Sequence, residues 1–177
     1  MSKLRICAVD PGATGGIAFL DPWSWELELH DMPTSIEGGK ARTVIDRLSL
    51  AQLLAPPADT RLIAVVEKVH ARPNDGAVQA FAFGQGYGAL LLAVEAHGYE
   101  LHEPTPAVWK KHFGLAGHKN LTQAQMKNMS RTLAIKRFPN AAEAMKLAKH
   151  HNRAEAALLA LYGVEKIFPK LGIVQPN

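Results

Sequence analysis

Three carboxylates in this 177-residue chain stand where chemistry needs them. Asp10 and Glu67 each close a short apolar run, Leu4–Val9 and Leu62–Val66, of the kind that forms a buried strand. A strand deep in a sheet delivers the side chain at its end with little freedom, so the two converge if their strands are neighbours. Converging carboxylates repel, and either one takes up a proton or a cation sits between them. Oxygen donors without Cys or His in the motif favour Mg²⁺ or Mn²⁺. Two such ions about 4 Å apart activate water and stabilise the leaving oxygen in phosphodiester hydrolysis. The third candidate is Glu155, with His151 (i−4) and Asn152 (i−3) on its helical face. Beyond it the segment Ala156–Tyr162 is almost wholly apolar and must pack on the sheet, which leaves the polar start near the strand ends. Alone, an Asp before Pro-Gly is a common turn residue and a Glu after a strand commonly faces water. Their joint placement with Glu155 argues for a site.

The elements that position these groups are legible from pattern. After the first strand, Asp10-Pro-Gly-Ala-Thr-Gly-Gly16 is a turn whose glycines supply positive φ and leave room for a phosphate backbone. Gly16–Leu20 and the alternating Trp25–His30 read as second and third strands joined by a hairpin at Asp21-Pro22. A polar stretch runs to Arg42, followed by a helical pattern over Val44–Leu54 that stops at Pro56-Pro57. After Leu62–Val66 come a loop over Ala71–Gly76, a long helix over Ala77–Ala96 and a short strand over Tyr99–His102. Thr105-Pro106 caps a helix over Ala107–His112, Gly114–Lys119 is a basic loop, and helices follow over Leu121–Arg137 and about Ala141–Phe168. The expected fold is one mixed α/β domain over residues 1–177, with three antiparallel strands, then parallel ones, and helices on both faces.

Bulk properties narrow the partners. Apolar residues make up 47% and charged residues 20%, which fits a globular chain and excludes disorder. The single Cys7 excludes a disulfide framework. No signal peptide is expected, and the apolar run Ala89–Val94 is too short to span a bilayer, so the default is a cytoplasmic protein without membrane contact. The net charge of +4 hides an asymmetry: residues 104–153 hold ten Lys/Arg against Glu143, so that segment is +9 and the remainder −5. Such a division points to a polyanion.

Four motifs, in order over residues 8–163, resemble the RuvC-like crossover junction endodeoxyribonucleases of the RNase H-like superfamily, particularly the phage and prophage branch. They are Ala8-Val-Asp-Pro-Gly-Ala-Thr-Gly-Gly16, Val65-Val-Glu-Lys-Val69, Phe83-Gly-Gln-Gly-Tyr-Gly88, and Arg153-Ala-Glu-Ala156 with Leu158-Leu-Ala160. The resemblance implies an RNase H-like sheet, a homodimer, and paired Mg²⁺-dependent nicks across a Holliday junction. It maps the catalytic set onto Asp10, Glu67, Asn152 and Glu155. Asn152 stands where relatives carry Asp or His, and His151 is the substitute ligand. DNA contacts are expected from Lys68, His70, Arg72, Lys110, Lys111, Lys119, Lys127 and Arg131. Relatives place an aromatic wedge after the second motif, whereas His70 and Arg72 stand here, with Phe81 and Phe83 further on. Other readings stay open: a nuclease of this fold on other branched or RNA-containing DNA, or a junction-binding protein impaired at position 152. An actin-like phosphotransferase would need a duplicated domain that 177 residues without a repeat do not offer, and no nucleotide cofactor is expected.

Overall fold

The structure, a computed structural model, describes residues 3–37, 42–71 and 76–169. Strands β1 (Lys3–Asp10), β2 (Gly16–Leu20) and β3 (Leu27–Asp31) are followed by β4 (Thr34–Glu37), β5 (Arg42–Ile45) and α1 (Arg47–Leu53). Then come β6 (Thr60–Val66), α2 (Ala77–Ala96), β7 (Glu100–His102), α3 (Pro106–His112), α4 (Gln123–Arg137) and α5 (His151–Tyr162).

Alternation along the strands explains the layers. Leu4, Ile6 and Ala8 of β1 face one side of the sheet and Cys7 and Val9 the other, all buried. On β6, Ile63 and Val65 join the first set and Leu62, Ala64 and Val66 the second. Strands apolar on both faces must be covered on both. Helix α5 lies over the first face with Trp109 of α3 and Ala134 of α4, while Leu50 of α1 and Leu90 and Val94 of α2 cover the second. The sheet order is β3-β2-β1-β6-β7, with β1, β2 and β3 antiparallel and β6 and β7 parallel to β1. This is the five-stranded mixed sheet expected from the sequence, three antiparallel strands followed by parallel ones.

Several local expectations need correction. The stretch before Arg42 holds part of a two-stranded ribbon, β4 with β5, in which Thr34, Ile36, Thr43, Val44 and Ile45 favour extended backbone. The helix expected from Val44 therefore starts at Arg47, where the Asp46 carboxylate accepts from the Leu48 and Ser49 N–H groups at 3.1 Å. The third strand begins at Leu27 rather than Trp25. Asp21 accepts from Trp23 and Ser24, and Trp25 takes φ 60°, so the hairpin loop is longer than the Asp21-Pro22 pair. The last helix is broken. Residues 139–145 and 148–150 form tight 3₁₀ turns, Leu147 between them is extended, and a wider π-type turn over 163–167 follows α5. Arg131 holds the break by donating to the Lys146 carbonyl. At 20 residues α2 is long and apolar enough, by length and composition alone, to cross a membrane, more than the run Ala89–Val94 suggested. Its inner residues Gly86, Leu90, Ala93 and Val94 are buried against the sheet side.

Candidate active site

Register brings the first two carboxylates together. Val9 of β1 pairs with Val66 of β6, and the Glu67 N–H donates to the Val9 carbonyl at 3.0 Å, so Asp10 and Glu67 leave the sheet side by side. The glycine turn brings in the third. Gly12 has φ 124°, and a Cβ on Gly15 would lie 2.0 Å from the Asp10 carbonyl oxygen. At Gly16 a Cβ would lie 2.5 Å from the main-chain carbonyl oxygen of Asn152. Only glycine lets α5 start this close to β2, and that close start places Glu155 over the strand ends.

Asp10, Glu67 and Glu155 line one cleft of about 630 Å³ with Thr14, His70, Gln79, Phe83, Lys110, Lys127, Ser130, His151 and Asn152. Each acidic side chain has a definite environment. Glu67 is 7% exposed and its Oε1 accepts from the buried Trp109 indole N–H at 2.8 Å. Glu155 accepts from Lys110 Nζ at 3.0 Å and from Ser130 Oγ at 3.1 Å. The Asp10 carboxyl is pushed well above the usual carboxylate range, first by burial and then by the charges of Glu155 and Glu67, with Lys110 and Lys127 partly opposing. That is the electrostatic signature of a site short of positive charge.

The donor set suits a hard divalent cation in kind: three carboxylates from three elements, one of them destabilised by the others. Among the described residues, no three His, Cys, Asp or Glu side chains form a group able to hold a metal as they stand.

The remaining expected residues are distributed unevenly. His151 lines the cleft with Nδ1 3.3 Å from the Ala148 carbonyl. Asn152 also lines it, but its Nδ2 donates to the Thr14 carbonyl and ties α5 to the glycine turn. His70 and Lys127 are at the cleft, and Lys110 is paired inside it rather than lying on an outer basic surface. Lys68, Lys111 and Lys119 are exposed and do not line it, and Arg131 is bonded to Lys146 and Asn128. Arg72 lies outside the described residues. Phe83 lines the cleft and stacks on Tyr87, whereas Phe81 is 69% exposed on α2. Two contributors were not read from the sequence. Trp109 signalled only that a buried indole N–H needs an acceptor, and Ser130 gave no signal beyond its polarity in a helix.

The fold is thus a five-stranded mixed sheet with an acidic cleft at the ends of its central parallel strands β1 and β6. No family model matches the chain. In an alignment 170 positions long that covers 85% of this chain, it is 26% identical to the chloroplastic Holliday junction resolvase MOC1 of Chlamydomonas reinhardtii. The chain spans 19% of the length of that curated relative. Among solved structures it is similar to Thermus thermophilus RuvC, at 18% identity and TM-score 0.46, over 98% of this chain and 99% of that one. It is also similar to T. thermophilus RuvC in complex with a Holliday junction substrate, at 14% identity and TM-score 0.48, with the same coverages. The curated similarity is thus to a Holliday junction resolvase, across most of this chain.

Proposed function

We propose that this chain is a structure-selective endodeoxyribonuclease that resolves four-way DNA junctions by paired hydrolytic nicks. The convergence of Asp10, Glu67 and Glu155 in one cleft carries the reading, and the similarity to a junction resolvase supports it. Asp10, Glu67 and Glu155 would hold Mg²⁺ or Mn²⁺, with His151 the side chain nearest in sequence able to add a nitrogen ligand. A cation held there supplies activation of water and neutralisation of charge on the scissile phosphate.

The chain's own residues prepare that chemistry. The Trp109 indole fixes the Glu67 carboxylate. Lys110 and Lys127 bring positive charge toward a phosphate entering the cleft. Lys111 and Lys119 lie on the exposed surface beyond, where contacts to the DNA backbone are sequence-independent and weaken steeply with salt. Paired nicks suit a two-fold assembly. Val78, Phe81 and Leu92, each more than two-thirds exposed on α2, form an apolar surface for a second copy of the chain. Light scattering on wild type and Leu92→Asp tests the dimer: a monomeric wild type sinks it.

A second reading, a junction-binding protein with little cleavage, is favoured by the Asn152 amide bonded to the Thr14 carbonyl rather than presented as a ligand. One assay separates the readings. A labelled four-way junction, a duplex and an RNA–DNA hybrid are incubated with Mg²⁺ or Mn²⁺. Symmetric nicks in the junction that vanish in Asp10→Asn support the resolvase. Tight binding without nicks in either metal supports the second reading, and selective cutting of the hybrid redirects the substrate assignment.

A further inference from the structure

The broken segment before α5 carries charges that the acidic cleft does not use. Met145 is fully buried, and arginines hold the carbonyls on either side of it. Arg153 Nη1 donates to Ala144 at 3.3 Å, and Arg131 donates to Lys146. Leu147 is extended, with φ −84° and ψ 150°, and its carbonyl accepts from the His150 N–H at 2.9 Å. The backbone here is thus braced by α4 and α5, while the side chains face water. Lys146 is 67% exposed, and Lys149 is exposed as well.

Neither lysine is committed elsewhere. Lys149 makes no ion pair among the described residues. Lys146 reaches Glu143 at 3.4 Å, between two exposed side chains, a contact worth little in water. Asp31, whose carboxylate feels the charge of Lys149, has both oxygens taken by Arg153 at 2.6 Å. Two ammoniums on a braced backbone, with no strong acid partner, suit an extended anion.

Their position says which anion. Lys127 lines the cleft, and Arg131 lies one turn further along the same face of α4, about 6 Å away. His151, directly after the segment, also lines the cleft. A strand leaving the cleft along α4 therefore meets Lys146 and Lys149 next. The Arg131 guanidinium, expected from the sequence to touch DNA, is spent on the Lys146 carbonyl and Asn128. Its part is to hold the lysines in place.

We propose that residues 146–150 form a further DNA-backbone site, in which Lys146 and Lys149 grip phosphates of the strand flanking the cleft. This rests on the nuclease reading above and adds a grip outside the cleft. The test is binding of the full chain to a labelled four-way junction in EDTA, from low to high salt, by fluorescence anisotropy. Lys146→Gln/Lys149→Gln is compared with wild type, with Lys146→Arg/Lys149→Arg, and with Lys3→Gln/Arg61→Gln. The last removes two charges at the opposite ends of β1 and β6 from the cleft. Losing two phosphate contacts lowers the slope of log affinity against log salt by about 1.8, so the affinity lost between ~50 and ~200 mM salt shrinks about twelvefold. That change is expected for the 146/149 glutamine variant alone, with the arginine variant at the wild-type slope and all melting temperatures alike. A wild-type slope in the 146/149 glutamine variant overturns the assignment, as does an equal drop in Lys3→Gln/Arg61→Gln, which would make the effect one of net charge. Because EDTA removes cleavage from the measurement, a wild type that binds but never cuts refutes the nuclease reading and leaves this site standing. A wild type that binds no junction overturns both.

Discussion

Replacing Trp109 with Phe isolates how the fold orients the Glu67 carboxylate proposed for catalysis. The indole is fully buried between the sheet and α5, and its only polar atom donates to Glu67 Oε1 at 2.8 Å. Phe keeps the apolar contact and removes the donor. A hydrogen bond to a charged group is worth about 1.5–3 kcal/mol. The smaller ring leaves a void on the order of 40 Å³, worth about 1 kcal/mol more. The expected destabilisation is about 2.5–4 kcal/mol, which for a chain of this size lowers Tm by roughly 5–16 °C. Glu67 would also lose its fixed orientation. Removing a partner that orients a ligand typically costs about 10–100-fold in metal affinity or activity. Both effects are read on one preparation, by thermal unfolding and by Mn²⁺ titration and junction cleavage well below the midpoint. A variant that melts lower yet binds Mn²⁺ and cuts like wild type would refute the positioning role, leaving Trp109 a core residue.

Asp10→Asn is expected to abolish cleavage while raising metal-free stability at neutral pH. The folded Asp10 carboxyl is held well above its usual value, so the folded chain binds that proton more tightly than the unfolded chain. Its contribution is negligible below about pH 4 and becomes destabilising as pH rises through the window above. Melting curves from pH 4 to pH 8 should show the variant's advantage growing with pH, and parallel curves would contradict it. Gly16→Ala places a methyl group against the Asn152 main chain, and displacing α5 should cost about 1–3 kcal/mol by urea unfolding. Gly84→Ala, in an open helical position of α2, should instead stabilise by about 0.5–1 kcal/mol in the same measurement. Asn152→Asp turns a carboxylate toward the Thr14 carbonyl and should lower stability by about 1–3 kcal/mol, with a melting temperature at or above wild type counting against the pin.

Local pattern carried the sheet and the identity of its acidic residues. The runs Leu4–Val9 and Leu62–Val66 are apolar without alternation because both faces are covered, and that property can be read from a string of residues. The same holds for α2, whose observed bounds coincide with the expected ones, and for the glycine turn after Asp10. Segments whose backbone depends on distant partners were less legible. The expected helix from Ala141 is broken near Leu147, where Arg131 of α4 holds the Lys146 carbonyl. The β4–β5 ribbon was hidden because β4 is exposed along its whole length and so shows no buried face.

The sequence by itself determined that Asp10 and Glu67 close central strands and that Glu155 opens an apolar helix. Tertiary structure alone decided what each carboxylate meets. Trp109, Lys110, Ser130 and Thr14 lie between 25 and 138 residues from the groups they bond, separations over which periodicity carries no information. It also changed the meaning of Lys110 and Asn152. One reads in sequence as a surface cation and the other as a weakened ligand. In the fold the first is a charge held inside the acidic cleft, and the second is the amide that fastens α5 to the glycine turn, because hydrogen-bond partners are chosen by proximity in space.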